Sequence, residues 1–171
     1  NPAKLLEYNA DTPTALFEAA VFQWDWLEDA IRRNVIPEDA DQFNSIHEGL
    51  VVELKDLAQR AVLPTLHLAC MPDSAEDRGL VSYLADCATL AGFQTSLMEI
   101  GDIGSTGEGP FVDLAEKSIH LLFKLYPWEW MFEDAFSRSP SMQHTRFIEP
   151  PWKAILSNKG ILPLLWAMAP R

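Results

Sequence analysis

The sequence predicts an α/β domain built on a mainly parallel sheet, and three observations predict it. Short extended runs recur along the chain: TLHLAC (65–70), FQTSLMEI (93–100) and SIHLLFK (118–124). The first two are separated by a stretch of helical periodicity, 75–90, long enough to cross back to the same edge of a sheet, as a parallel pair requires. Two further helical stretches precede the first strand and supply a layer to pack against it.

The elements follow in order. KLLEYN (4–9) lies between Pro2 and the turn-prone DTPT and reads as a strand end feeding a loop. Thr12 or Thr14 then caps a helix over 14–35, where Leu16, Ala19, Ala20, Phe22, Trp26, Leu27 and Ile31 recur at helical spacing before Pro37. A second helix spans 41–61 on Phe43, Ile46, Leu50, Leu54, Leu57 and Ala61, and Pro64 stops it. After TLHLAC, Pro72-Asp73-Ser74 turns the chain into the helix 75–90, and Gly92 stands where a left-handed C-cap belongs. GDIGSTGEGP (101–110) holds four glycines and reads as a loop with room for a hairpin. A helix follows Pro127 and reaches Phe136, residues 137–151 are irregular, and a last helical run goes from Asn158 through Trp166.

Composition narrows the function. Hydrophobic residues make up 48% of the 171, enough for a packed core. Asp and Glu outnumber Lys and Arg by 25 to 13, for a net charge of -12, and no basic cluster interrupts that field, which argues against nucleic acid. No apolar run reaches membrane-spanning length, and the start lacks a signal-peptide pattern. Cys70 and Cys87 lack metal-ligand spacing and read as buried thiols of a reducing, cytoplasmic compartment. The chain opens without Met on NPAKLL and closes on APR, which reads as a piece of a larger protein.

Two segments carry candidate chemistry. Glu7 and Asn9 are two apart on the expected strand, so a carboxylate and an amide oxygen share a face, with Tyr8 packing on the other; these are hard oxygen donors of the kind Mg²⁺ takes. The same EYNADTPT spacing suits an Asx or ST turn with a helix cap, and both readings stand open at this point. In EPPWKAILSNKGILPLLW (149–166), Lys159 sits at the opening of an apolar helix, where the dipole disfavours it. It is either a phosphate-holding point charge or a solvated surface lysine. The glycine-rich loop enters no periodic helix and reads as a loop rather than a phosphate cradle. The four histidines lack ligand spacing, with His67 and His120 inside strand runs, and the six tryptophans read as core or domain-contact residues.

EYNADTPT, DQFNSIHEGLVVEL, KLYPWEW and PPWKAILSNKGILPLLW, in that order, resemble the glutathionylspermidine synthase family, and the resemblance runs through essentially the whole chain. It implies a Rossmann-like pre-ATP-grasp domain over 1–150, with part of the substrate site, and the beginning of an ATP-grasp region over 151–171. The activity it implies is an ATP- and Mg²⁺-dependent ligation of a glutathione-like peptide carboxylate to a polyamine, through an acyl phosphate. By the same resemblance Glu7 and Asn9 are metal ligands, Thr12 and Thr14 lie near the peptide where bifunctional members carry serines, Glu76 binds substrate, and Lys159 binds ATP. The family's Arg-x-Asp-Phe strand, which precedes EYNAD, is not in this sequence, nor are its glycine-rich lid, second ATP lysine and later arginines. The chain by itself is therefore expected to be inactive. The alternative is a non-catalytic peptide- or polyamine-binding module that keeps the family shell.

Overall fold

The computed structural model describes residues 4–61 and 63–168. The first helical segment opens with a π-helical turn, Glu18–Phe22, and continues as α1 (Gln23–Arg32), which buries Leu27 and Ala30 and exposes Asp25 and Glu28. It ends ahead of the expected limit because Asn34 adopts a left-handed φ of 56° and Val35 N–H folds back to the Ala30 carbonyl. The second helix, α2 (Ile46–Arg60), begins at Ile46 rather than 41, since Asn44 Oδ1 accepts from Ile46 N–H and competes with helix upstream.

The next three elements match their sequence pattern closely. They are β1 (Thr65–Cys70), α3 (Ala75–Leu90) and β2 (Gln94–Glu99). Ser74 Oγ caps α3 by accepting from Asp77 N–H at 3.0 Å. At its far end Gly92 takes φ 100°, which lets Phe93 N–H reach the Ala88 carbonyl and turn the chain into β2. Strands β1 and β2 pair parallel in register from Thr65↔Gln94 to Cys70↔Glu99.

The glycine-rich stretch forms the expected hairpin: β3 (Gly104–Ser105) and β4 (Phe111–Val112) pair antiparallel, and β5 (Ser118–Ile119) adds to them. The run SIHLLFK therefore serves two sheets. It breaks at His120, which is exposed and not within a strand, and resumes as β6 (Leu121–Leu125), parallel to β1. After α4 (Trp128–Glu133) and two 3₁₀ turns comes β7 (Arg146–Ile148), parallel to β6, within the stretch expected to be irregular; three residues are too few to show a period. A short helix not expected from the sequence, α5 (Lys153–Ser157), comes next. The last helical run begins at Ile161 rather than Asn158 as α6 (Ile161–Met168), because Asn158 Oδ1 accepts from Gly160 N–H and holds 158–160 as a turn.

The larger sheet has the order β2-β1-β6-β7, all parallel. This is the expected α/β fold. Strand β1 is buried on both faces, as its near-continuous apolar sequence requires. Leu66, Leu68 and Cys70 meet Leu80, Leu84 and Cys87 of α3, while Ala69 and Leu122 meet Phe111 and Ile119 of the smaller sheet and Ile103 just ahead of it. Both thiols are free and buried, as the sequence led us to expect.

The strand expected at the start of the chain is absent. Residues 4–9 form no strand, since no described strand runs alongside to complete a ladder; Ala10 N–H instead turns back to the Tyr8 carbonyl at 3.0 Å. Tyr8 accordingly does not pack but is 56% exposed. Among the tryptophans Trp128 lies in the core, while Trp24, Trp26, Trp130, Trp152 and Trp166 are exposed, so of the two readings, core or domain contact, the second alone is open to those five. Among the described residues no helix is long and apolar enough to cross a membrane.

Candidate functional site

The chain runs from β1 to β2 on one side and then returns to place β6 and β7 on the other, so the strand order reverses between β1 and β6. In open α/β sheets the crevice outside the carboxyl ends of such strands is the usual place for a ligand. Here those ends are Cys70 and Leu125.

The segment after Asn9 is anchored beside the end of β6. Asp11 is 4% exposed and Lys124 fully buried, and Lys124 Nζ donates to Asp11 Oδ1 at 2.9 Å and to the Tyr126 carbonyl at 2.7 Å. The other carboxylate oxygen of Asp11 accepts from Trp128 N–H at 2.6 Å, and Lys124 Nζ lies 4.1 Å from the centre of the Trp128 ring. Burial pushes the Lys124 ammonium below its ordinary pKa, while Asp11 pulls it back up.

The segment around α5 and α6 reaches the same place. Ser157 Oγ accepts from Ala10 N–H at 3.0 Å, Asn158 Nδ2 donates to Glu129 Oε1 at 2.8 Å, and Trp128 Nε1 donates to the Glu149 carbonyl at 3.0 Å. Glu129 is thus exposed and paired. Lys159 Nζ lies 2.9 Å from Glu7 Oε2. Two residues that the sequence analysis singled out separately, one for metal and one for phosphate, are in contact.

The remaining candidates stand as follows. Asn9 is exposed, and with no strand the alternation argument for a shared face with Glu7 no longer applies. Thr12 and Thr14 lie in the turn, where Thr14 N–H bonds the Thr12 carbonyl at 2.9 Å. Glu76 is exposed in the first turn of α3, which follows the carboxyl end of β1; no hydrogen bond or ion pair among the described residues joins it to Glu7 or Lys159. Among the described residues no group of three His, Cys, Asp or Glu is placed to hold a metal ion.

Sequence reasoning passed over Lys124. The available signal was one charge inside LLFKL, a strand otherwise apolar at every position, because a lysine there must find a buried partner. It also passed over a cavity of about 390 Å³ at the start of β1 and β2. That cavity is lined by His67, Asp113, Lys117 and His120, with His67 Nε2 3.7 Å from Asp113 Oδ2.

A parallel sheet packed on both faces, with a reversal of strand order at its carboxyl edge, is the architecture of a Rossmann-like α/β domain. The comparisons carry it further. The family described as "Glutathionylspermidine synthase preATP-grasp" matches residues 1–171, and the chain belongs to that family. It is 47% identical over 174 residues to a Haemophilus influenzae protein named "Putative acid--amine ligase". It is 26% identical over 192 residues to the "Bifunctional glutathionylspermidine synthetase/amidase" of Escherichia coli, and equally to that of Shigella flexneri. These alignments take in 98–99% of this chain, but 43% of the first relative and 30% of the other two.

Proposed function

We propose that this chain is the pre-ATP-grasp part of an ATP-dependent carboxylate–amine ligase that joins a glutathione-like peptide carboxylate to a polyamine through an acyl phosphate. The observation that carries the proposal is the Glu7–Lys159 contact, 2.9 Å, which puts a carboxylate and an ammonium from opposite ends of the chain side by side in an exposed position. It supports a shared site for Mg²⁺ and ATP, because each side chain now stands where the other's ligand would: the Glu7 carboxylate has the sign of a phosphate against Lys159, and the Lys159 ammonium has the sign of a metal ion against Glu7.

Glu7 and Asn9 suit Mg²⁺ in kind. That ion takes one or two protein carboxylates, keeps several waters and shares phosphate oxygens, so a partial set of oxygen donors is chemically adequate. When bound it would neutralise charge developing on the transferred phosphoryl group. Lys159, released from Glu7, would hold phosphate oxygens as a compact point charge. Thr12 and Thr14 would offer hydroxyls to the peptide and Glu76 a carboxylate to substrate, while the net charge of -12 favours approach of a polycationic amine. Residues 151–171 are read as the beginning of the ATP-grasp region. The 171 residues alone are not expected to turn over.

Equilibrium binding of glutathione and of Mg²⁺-ATP to the full-length protein, followed by phosphate release with and without spermidine, tests the proposal. Phosphate release that requires both peptide and amine supports the ligase. Binding of peptide or polyamine with no ATP turnover under any pairing would assign the non-catalytic module instead.

A further inference from the structure

Lys124 invites a question the proposed chemistry leaves unanswered. Burying an ammonium and a carboxylate carries a desolvation penalty that their attraction often only balances, so an apolar pair would serve packing as well or better. What an apolar pair lacks is direction. Both oxygens of Asp11 are engaged, Oδ1 by Lys124 Nζ and Oδ2 by Trp128 N–H, and this fixes the backbone of the loop at the end of β6.

The loop has few other anchors. Residues 4–9 carry no strand ladder and are exposed, and among the described residues the bonds that tie Glu7 and Ala10 to distant parts of the fold are Lys159 Nζ to Glu7 and Ala10 N–H to Ser157 Oγ, the Ala10 N–H to Tyr8 carbonyl bond being local. Glu7, Asn9 and Asp11 are three oxygen-bearing residues at two-residue spacing. The contact with Lys124 removes the third from the set of available metal donors and leaves the first two at the surface.

We propose that Lys124 is a positioning residue: acting through Asp11, it clamps the segment that carries Glu7 and Asn9 and so sets the Mg²⁺ affinity of the site without touching the ion. The inference rests on the reading of Glu7 and Asn9 as metal ligands given above. Groups that orient a ligand from behind commonly change metal affinity by 10–100-fold when removed.

The test uses the full-length protein and Lys124→Met, with two readouts. Hydrogen–deuterium exchange is followed over peptides covering 4–14, 65–70 and 75–90, and ATP turnover is titrated with free Mg²⁺. The expected result is exchange accelerated in 4–14 but unchanged in 65–70 and 75–90. The half-saturating Mg²⁺ concentration should rise at least about tenfold, with turnover at saturating Mg²⁺ within about threefold of wild type. Because Lys124→Met leaves a buried carboxylate without its cation and can fail to fold, Asp11→Asn/Lys124→Met, which leaves no unpaired charge, is read in the same way. Unchanged exchange in 4–14, or faster exchange spread evenly over all three regions, would overturn the clamp. A local acceleration with an unmoved Mg²⁺ requirement would keep the clamp and overturn its role in metal affinity. Absence of Mg²⁺-dependent turnover in wild type would instead count against the proposed function, and the exchange data would still judge the clamp.

Discussion

The carboxylate of Glu7 and the ammonium of Lys159 lie 2.9 Å apart, with 46% of one side chain and 73% of the other exposed. A pair this open to water is worth at most about 1 kcal/mol. Glu7→Gln and Lys159→Met should therefore each change unfolding free energy by no more than about 1 kcal/mol in urea titrations. A larger loss would mean that the contact is structural and that kinetic effects of these substitutions cannot be separated from folding.

His67 gives a prediction in pH. It is 3% exposed, and burial pushes its pKa below 6.5, against the opposing pull of Asp113 and with smaller help from His120 and Lys117. The unfolded chain takes this proton near 6.5 while the folded protein resists it, so the unfolded state binds more protons as pH falls. Stability should drop below about pH 6.5, with a contribution from this residue of no more than about 1.4 kcal/mol per pH unit. Urea unfolding at pH 7.5 and 5.5 should show a smaller difference in His67→Gln than in wild type. An equal difference in the two proteins would contradict the assignment.

The two thiols should be slow to react. Cys87 is fully buried and Cys70 nearly so, and burial pushes both thiols above their ordinary pKa, which lowers the thiolate fraction at neutral pH. Labelling of the folded protein by a soluble maleimide should be slow for both and become fast in denaturant. Rapid labelling of either without denaturant would place it at the surface.

Gly92 ends α3 at φ 100°, with nothing within 4 Å of where a Cβ would stand. Gly92→Ala should thus cost backbone strain alone, about 1–2 kcal/mol, with no clash. Denaturant unfolding measures it, and an unchanged midpoint would show that the turn adapts.

The parts of the fold legible in the sequence are those that local chemistry decides. The limits of α3 follow from a Ser74 cap, apolar residues at helical spacing and Gly92, and β1 follows from an apolar run with a crossover behind it. Residues 4–9 misled because the alternation of a strand is visible in sequence, whereas the presence of a neighbour to pair with is not. His120 looked like a residue in mid-strand, yet its carbonyl accepts from Arg146 N–H as the chain passes from one sheet to the other. Of the candidate site, the residue types were legible, but the Glu7–Lys159 contact and the Asp11–Lys124 pair join residues distant in sequence, where no spacing could bring them together.

The central claim is that Glu7 and Lys159 belong to one Mg²⁺-ATP site. The measurement that tests it most directly is ATP-dependent amide formation from glutathione and spermidine by full-length wild type, Glu7→Ala and Lys159→Ala at limiting Mg²⁺ and ATP, with folding checked by circular dichroism. Lys159→Ala should raise the ATP needed for half-maximal rate by about tenfold or more, about 1.4 kcal/mol, and Glu7→Ala should raise the Mg²⁺ requirement. If both folded variants turn over like wild type under those conditions, EYNADTPT is only a turn, Lys159 is only a surface lysine, and the claim is wrong.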